Sequence, residues 1–218
     1  MQHKTMIMKY FEVVFDSFYL IVGYVVFVIQ LYFAQTLSGF IAFFMTLILI
    51  FGDSFHLIPR IHMLISGKKP LYALGFGKLV TSVTMTIFYV LFWFWGLVLF
   101  KLPFLQAGTY IIVCLAVIRI ILCLLPQNRW FEKSGSFKFG VIRNIPFVLL
   151  GFLVMLMFLL NRAYIPSLCF IWIAVLLSFV FYVPVVLFSR KSPKWGMLML
   201  PKTLMYMWII VMFLKGPQ

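Results

Sequence analysis

A chain of 218 residues that is 65% hydrophobic and 10% charged is not a soluble domain, which is closer to half apolar and a quarter charged. Its formal net charge of +14 raises nucleic acid as a partner. The basic residues instead fall in short loops between apolar runs, a distribution that excludes a nucleic-acid face.

Taken in order, the chain opens with MQHKTMIMKY and runs into a long aromatic-rich segment that ends Tyr32-Phe33-Ala34. No small-x-small cleavage site follows, so the segment reads as a retained first helix. A helix crossing the hydrocarbon needs about 20 mostly apolar residues. Seven segments qualify: 14–34, 38–58, 79–100, 107–126, 145–161, 166–188 and 196–214. The connections SGKKP (66–70), PQNRWFEKSGS (126–136) and RKSPKWG (190–196) carry the Gly, Pro and charge of turns. No apolar-poor stretch is long enough for a second domain. The expected architecture is therefore all-α, a single seven-helix transmembrane domain over 1–218.

Loop charge predicts its orientation. With seven spans, thirteen of the eighteen basic residues fall on the side of the amino terminus. They are Lys4, Lys9, Arg60, Lys68, Lys69, Lys78, Arg129, Lys133, Lys138, Arg143, Arg190, Lys191 and Lys194. Three, Lys101, Arg162 and Lys215, fall on the other side, and Arg119 and Lys202 lie within spans. The positive-inside rule then places the amino terminus in the cytoplasm and the carboxy terminus outside, in a multi-pass protein of the cell membrane. Trp93, Trp95, Trp130 and Trp195, near span ends, fit interfacial belts.

Of the four acidic residues, Glu12, Asp16 and Glu132 lie in segments that read as water-exposed. Asp53 sits inside the run Phe40–Ile58, where a carboxylate costs about 2.5–3.5 kcal/mol to insert. It shares a helical face with His56 and Arg60, spaced i, i+3, i+7. At 1.5 Å per residue it lies roughly 9 Å inside the helix end. Other polar groups reach a similar depth: Lys78, Ser82 and Tyr89 on the third helix, Arg119 on the fourth and Arg143-Asn144 at the start of the fifth. Ser178 and Tyr182 on the sixth and Lys202 and Tyr206 on the seventh complete the set. This agreement predicts one polar cavity in the cytoplasmic half, facing the cytoplasm or the inner leaflet, with helices broken at Pro184 and Pro201 helping to open it. Its cations outnumber Asp53, which calls for an anionic ligand such as a phosphate or carboxylate.

Other motifs carry less. The three cysteines, Cys114, Cys123 and Cys169, fit neither a zinc site nor a disulfide framework and read as small buried hydrophobes. A metal centre needs three or more His, Asp or Glu ligands, and His3 and His62 lie outside the spans. Neither a metal nor any other cofactor is expected. Lys202 in the seventh helix suits an anion site better than a Schiff base. Gly75-Phe76-Gly77-Lys78 lacks phosphate-loop spacing. Leu125-Pro126-Gln127 matches the PQ motif of seven-helix sugar transporters, but no repeat relates helices 1–3 to 5–7.

The segment Gly52-Asp53 followed by Leu57-Ile58-Pro59-Arg60 resembles the GD…LLPR stretch of the YhhN-like lysoplasmalogenase family. The next helix, YALGFGKLVTSVTMTIFYVLF (72–92), also resembles that family's. The likeness covers about forty residues. It implies a helical bundle that cleaves the vinyl-ether bond of lysoplasmalogens, with the family's aspartate at Asp53. The chain departs in having seven spans rather than eight. It also has Lys78, Thr81 and Ser82 where the family has a histidine, and Ser178 and Tyr182 where it has a second acid.

The leading expectation is a membrane-embedded hydrolase acting on an anionic lipid or lysolipid from the inner leaflet. Asp53 would be the general acid or base and His56 its assistant. Arg119, Lys202, Arg60 and Lys78 would hold the phosphate, with Ser82, Ser178, Tyr182 and Tyr206 lining the site. The alternatives are a non-catalytic binding protein or transporter for an anionic lipid or small molecule, and a structural membrane protein. Nothing in the sequence specifies an oligomeric state.

Overall fold

The computed structural model describes residues 2–132 and 134–216, and only the backbone of residues 2–7 and Pro193. Lys133 and the side chains of His3 and Lys4 thus lie outside the described residues. The elements are α1 (Gln2–Phe33), α2 (Leu37–Ser66), α3 (Leu71–Leu99), α4 (Ala107–Leu124), α5 (Phe137–Ile142), α6 (Asn144–Leu160), α7 (Ile171–Phe188) and α8 (Met199–Phe213). Short 3-10 turns at Pro126–Asn128, Pro166–Leu168 and Pro193–Leu198 join them, and no strand forms among the described residues. Counting α5 and α6 together, seven helical segments among the described residues are long and apolar enough to cross a membrane. The protein is an all-α, multi-pass membrane protein.

Neighbours in sequence are neighbours in space. α1 packs on α2, α2 on α3, α3 on α4, α4 on α6, α6 on α7 and α7 on α8, and α8 returns to α1. α3 also meets α6, so it fills the middle of this ring. Lipid tails are as apolar as leucine, so helices here associate through close packing and not by escaping water. The centre is accordingly aromatic. Phe92 meets Trp95, Phe158 and Phe213 at centroid distances of 5.1–5.8 Å, and Tyr89 meets Phe147 edge-on at 5.2 Å.

The tightest helix pair is α2 with α3, where small residues let the backbones close. A Cβ added at Gly52 would stand 2.0 Å from Thr84 Oγ1, and one at Gly77 would stand 2.1 Å from the Phe55 carbonyl oxygen. Thr81 Oγ1 donates to the Gly52 carbonyl at 2.9 Å. Pro59 has no N–H to offer the Phe55 carbonyl four residues before it. Gly77 packs where that carbonyl is freed.

Several helix ends differ from the sequence expectation. α2 does not stop at 58 but continues through Pro59 to Ser66, and α3 starts at Leu71, not 79. The ends IHMLIS and LYALGFG are themselves mostly apolar and continue the helices on either side of the SGKKP turn. Pro184 does not break α7, which runs on to Phe188. Pro201 lies in the first turn of α8, where a missing N–H costs no helical bond. The interruption falls instead at Arg143, between α5 and α6. Pro146 explains it: the ring removes the donor that the Ile142 carbonyl would need. One turn earlier, Asn144 Nδ2 donates to the Gly140 carbonyl at 2.7 Å.

Two residue classes also need correction. Trp93 and Trp95 are not lipid-facing belt residues: both are buried, donating to Thr109 Oγ1 (3.1 Å) and to the Ser38 carbonyl (3.0 Å). An indole N–H at that depth must find a partner. Of the cysteines only Cys123 is buried, whereas Cys114 is exposed on the outer face of α4.

Gly77→Val is expected to destabilise the bundle by about 1–3 kcal/mol through overpacking against Phe55. Gly140→Ala meets open space and should be neutral. Thermal unfolding in detergent checks both, and an unchanged midpoint for Gly77→Val would refute the close α2–α3 contact.

Candidate functional site

A cavity of about 470 Å³ opens at one end of the bundle. It is bounded by the later turns of α2, α4 and α7, residues 78–85 of α3, the first turns of α6 and α8, and the connection from α4 to α5. α1 brings its own start to the same end, because Glu12 ion-pairs with Arg60. The start of α1 and the cavity therefore share one end of the molecule, and the end of α8 lies at the other.

The α4–α5 connection is held by a single amide. Asn128 Nδ2 donates to the carbonyls of Leu122 (2.7 Å), Cys123 (3.2 Å) and Leu125 (2.8 Å), the last acceptors of α4. Helix ends leave such carbonyls without intrahelical partners. Trp130 Nε1 adds a bond to the Cys123 carbonyl at 2.9 Å. Asn128 Oδ1 then accepts from Arg143 Nη1 at 2.7 Å, and the Arg143 guanidinium lies 4.0 Å from the Trp130 ring centroid. Across the cavity Tyr182 donates to Asn144 Oδ1 at 2.8 Å.

Arg119 is the most deeply placed cation, 2% exposed. Its guanidinium lies 3.3 Å from the centroid of Phe147, and its Nε and Nη1 have no hydrogen-bond partner. Lys202 Nζ lies 4.9 Å from the Tyr182 ring and 5.0 Å from the Tyr206 ring. Among the described residues it makes no direct ion pair, but Asp53 lies within electrostatic reach of it. His56 also lines the cavity, with Nδ1 buried and unpartnered.

The charge on the lining is one-sided. Arg60, Lys78, Arg119, Arg129, Arg143, Arg190 and Lys202 face Glu132 as the only carboxylate among the described lining residues. Glu132 is exposed and paired with Arg129 at 3.7 Å.

Of the ten candidate residues predicted from sequence, the cavity gathers seven: His56, Arg60, Lys78, Ser82, Arg119, Tyr182 and Lys202. Asp53, Ser178 and Tyr206 do not line it. Tyr206 and Ser178 belong to the aromatic centre, where Tyr206 and Tyr89 hydroxyls meet at 3.2 Å and Ser178 Oγ donates to the Val175 carbonyl at 2.7 Å.

Asp53 turns to α1 and accepts from Tyr19 at 2.7 Å. It is one of several polar groups along the α1–α2 seam. Glu12, Asp16 and Tyr19 follow one another at i, i+4, i+7 on α1 and face Asp53 and Arg60 of α2. Glu12 and Asp16 are thus not in a water-exposed segment: Glu12 pairs with Arg60, and Asp16 is 5% exposed with Oδ2 unpartnered. Among the described residues the apolar span of α1 covers Met8–Phe33, and both acids fall within it.

Sequence reasoning missed Asn128, Trp130, Asn144 as a hydrogen-bonding group, Arg190 and Tyr19. Only the first two gave a signal. An Asn and a Trp within PQNRWF, straight after a helix end, fit a carbonyl cap better than a free loop. Tyr19 and Arg190 gave none, since aromatic residues pervade α1 and arginines the loops.

Among the described residues no cluster of His, Cys, Asp or Glu could hold a metal ion. What the side chains can do is bind an anion: guanidinium groups offer paired N–H donors and lysines offer point charges. Comparison with protein families, curated proteins and solved structures finds no match. Fold and site together define a class, a seven-helix membrane protein with a cationic cavity at one end.

A buried, unpaired guanidinium is costly. Arg119→Met is therefore expected to raise the unfolding midpoint of the lipid-stripped protein in detergent, by about 1 kcal/mol or more. A lowered midpoint would mean that the stack on Phe147 more than offsets the desolvation of the charge.

Proposed function

We propose that the protein binds an anionic lipid or related amphiphile at the cytoplasmic face of the membrane. The single observation that carries this reading is the cation excess of the cavity, centred on Arg119, whose buried Nε and Nη1 lack partners. Uncompensated charge at this depth is tolerated when a ligand supplies its opposite. Met85, Phe147, Val185, Val186 and Met199 on the lining offer apolar contact to a chain attached to the anion.

The cytoplasmic orientation rests on loop charge. The end that carries the cavity holds most of the basic residues, and short loops rich in Lys and Arg face the cytoplasm. The inner leaflet is also the more anionic one, which favours capture at that face.

Lipid retention tests this reading. Protein purified in mild detergent is expected to keep anionic phospholipid over phosphatidylcholine by native mass spectrometry. Arg119→Gln should weaken that retention at least tenfold, because loss of one partner of a desolvated charge pair costs about 2–5 kcal/mol. Equal retention of both lipids would refute the proposal.

A second reading, hydrolysis of the bound lipid, is favoured by His56, whose unpartnered Nδ1 borders the cavity. A neutral imidazole can accept a proton from water or deliver one to a leaving oxygen. Asp53, hydrogen-bonded to Tyr19 and off the lining, would act there only after a rearrangement. Lysolipid incubated with wild type should then yield product, and His56→Gln should bind lipid but yield none. Product formation by His56→Gln at the wild-type rate would remove His56 from the chemistry.

A further inference from the structure

Four cations on the cavity lining have no carboxylate partner among the described residues: Lys78, Arg119, Arg143 and Arg190. Of the other three, Arg60 and Arg129 pair with Glu12 and Glu132, and Lys202 lies within electrostatic reach of Asp53. One phosphodiester would bring a single negative charge to this group. A terminal phosphate brings about 1.5 to 2, with three strong acceptor oxygens, and a diphosphate brings more.

The lining also refuses a positive group on the ligand. A choline or ethanolamine headgroup needs a carboxylate or an open aromatic face. Glu132 is exposed and engaged by Arg129. Each aromatic ring of the lining already carries one of the protein's own cations: Arg119 on Phe147, Arg143 on Trp130, Arg190 on Phe137 and Lys202 on Tyr182. A cationic headgroup seated on these rings would meet like charge. At Arg119 the Nε and Nη1 donors have no partner, although the residue is almost wholly buried. At Arg143 one nitrogen is held by Asn128, which orients the fork.

We infer that the ligand's anionic group is a terminal phosphate or a diphosphate that carries no cationic substituent. This deepens the anion-binding reading and rests on it. A zwitterionic phospholipid or lysolipid would bring a positive group with no seat and too little negative charge.

The test uses the full-length protein, stripped of lipid and placed in nanodiscs. Binding is measured for phosphatidic acid, phosphatidylglycerol and phosphatidylcholine of identical acyl chains, with inorganic pyrophosphate as a soluble competitor. The expected result is at least tenfold tighter binding of phosphatidic acid than of phosphatidylglycerol, with phosphatidylcholine weakest. Equal affinity for phosphatidic acid and phosphatidylglycerol would overturn this inference and leave the anionic-lipid reading standing. Equal affinity for all three would overturn both.

Pyrophosphate separates the possible sources of the phosphate. Displacement only at concentrations far above those of phosphatidic acid indicates a lipid-borne phosphate. Displacement at matching concentrations indicates a free one, and either supports the chemistry. No displacement at any concentration would overturn it. Lys78→Gln, an exposed site that leaves packing intact, should reduce the preference for phosphatidic acid over phosphatidylglycerol at least threefold. A preference unmoved by Lys78→Gln and by Lys202→Gln would overturn the assignment to this cavity.

Discussion

Hydrocarbon offers no partner to an unsatisfied donor and no counter-charge to an isolated ion, and the placement of polar side chains in this bundle follows from that constraint. The indoles of Trp93 and Trp95 find oxygen acceptors on neighbouring helices. Asn128 gathers the last carbonyls of α4, and Asn144 takes the Gly140 carbonyl beside the break at Arg143. Where α2 loses a donor at Pro59, Gly77 of α3 closes over the freed carbonyl. Each repair joins two elements, so satisfying the backbone also assembles the fold.

The same constraint divides the charged residues into two groups. Along the α1–α2 seam, Glu12 pairs with Arg60 and Asp53 accepts from the Tyr19 hydroxyl. In the cavity, cations outnumber acids and lean on aromatic faces. A ring quadrupole attracts a cation but does not neutralise it. Stacking on Phe147, Trp130 and Tyr182 therefore holds three cations in place while leaving their charge available. The cap at Asn128 and the break at Arg143 bring the α4–α5 connection over this group, which turns a cluster of charges into a bounded site.

Much of the architecture was legible in the chain. Apolar runs of about 20 residues admit helices and little else in a bilayer, so the seven spans were readable from composition alone. Depth was readable too, since rise per residue is constant along a helix. That is why seven of the ten residues chosen by depth do line one cavity. Helix ends were less legible. Residues 59–66 and 71–78 looked like loop because Pro59, Arg60, Gly75, Gly77 and Lys78 signal turns and charge, although the residues between them are apolar and stay helical. Proline was misleading at Pro184 and Pro201 and uninformative at Pro146, because its effect depends on which carbonyl lies four residues earlier and what else can reach it.

The chain by itself determined the class of fold, the number of crossings and the end of the bundle at which charge collects. These follow from hydropathy and spacing, which are local properties. Only the tertiary structure decided which polar residues face one another. Asp53, His56 and Arg60 share a helical face, yet that face is wide enough to meet α1 at one level and the cavity at another. The Tyr19 hydroxyl takes Asp53 to the seam, whereas His56 and Arg60 reach the cavity. Rotation of one helix against its neighbours is set by packing across the whole interface, and no spacing within a single helix encodes it.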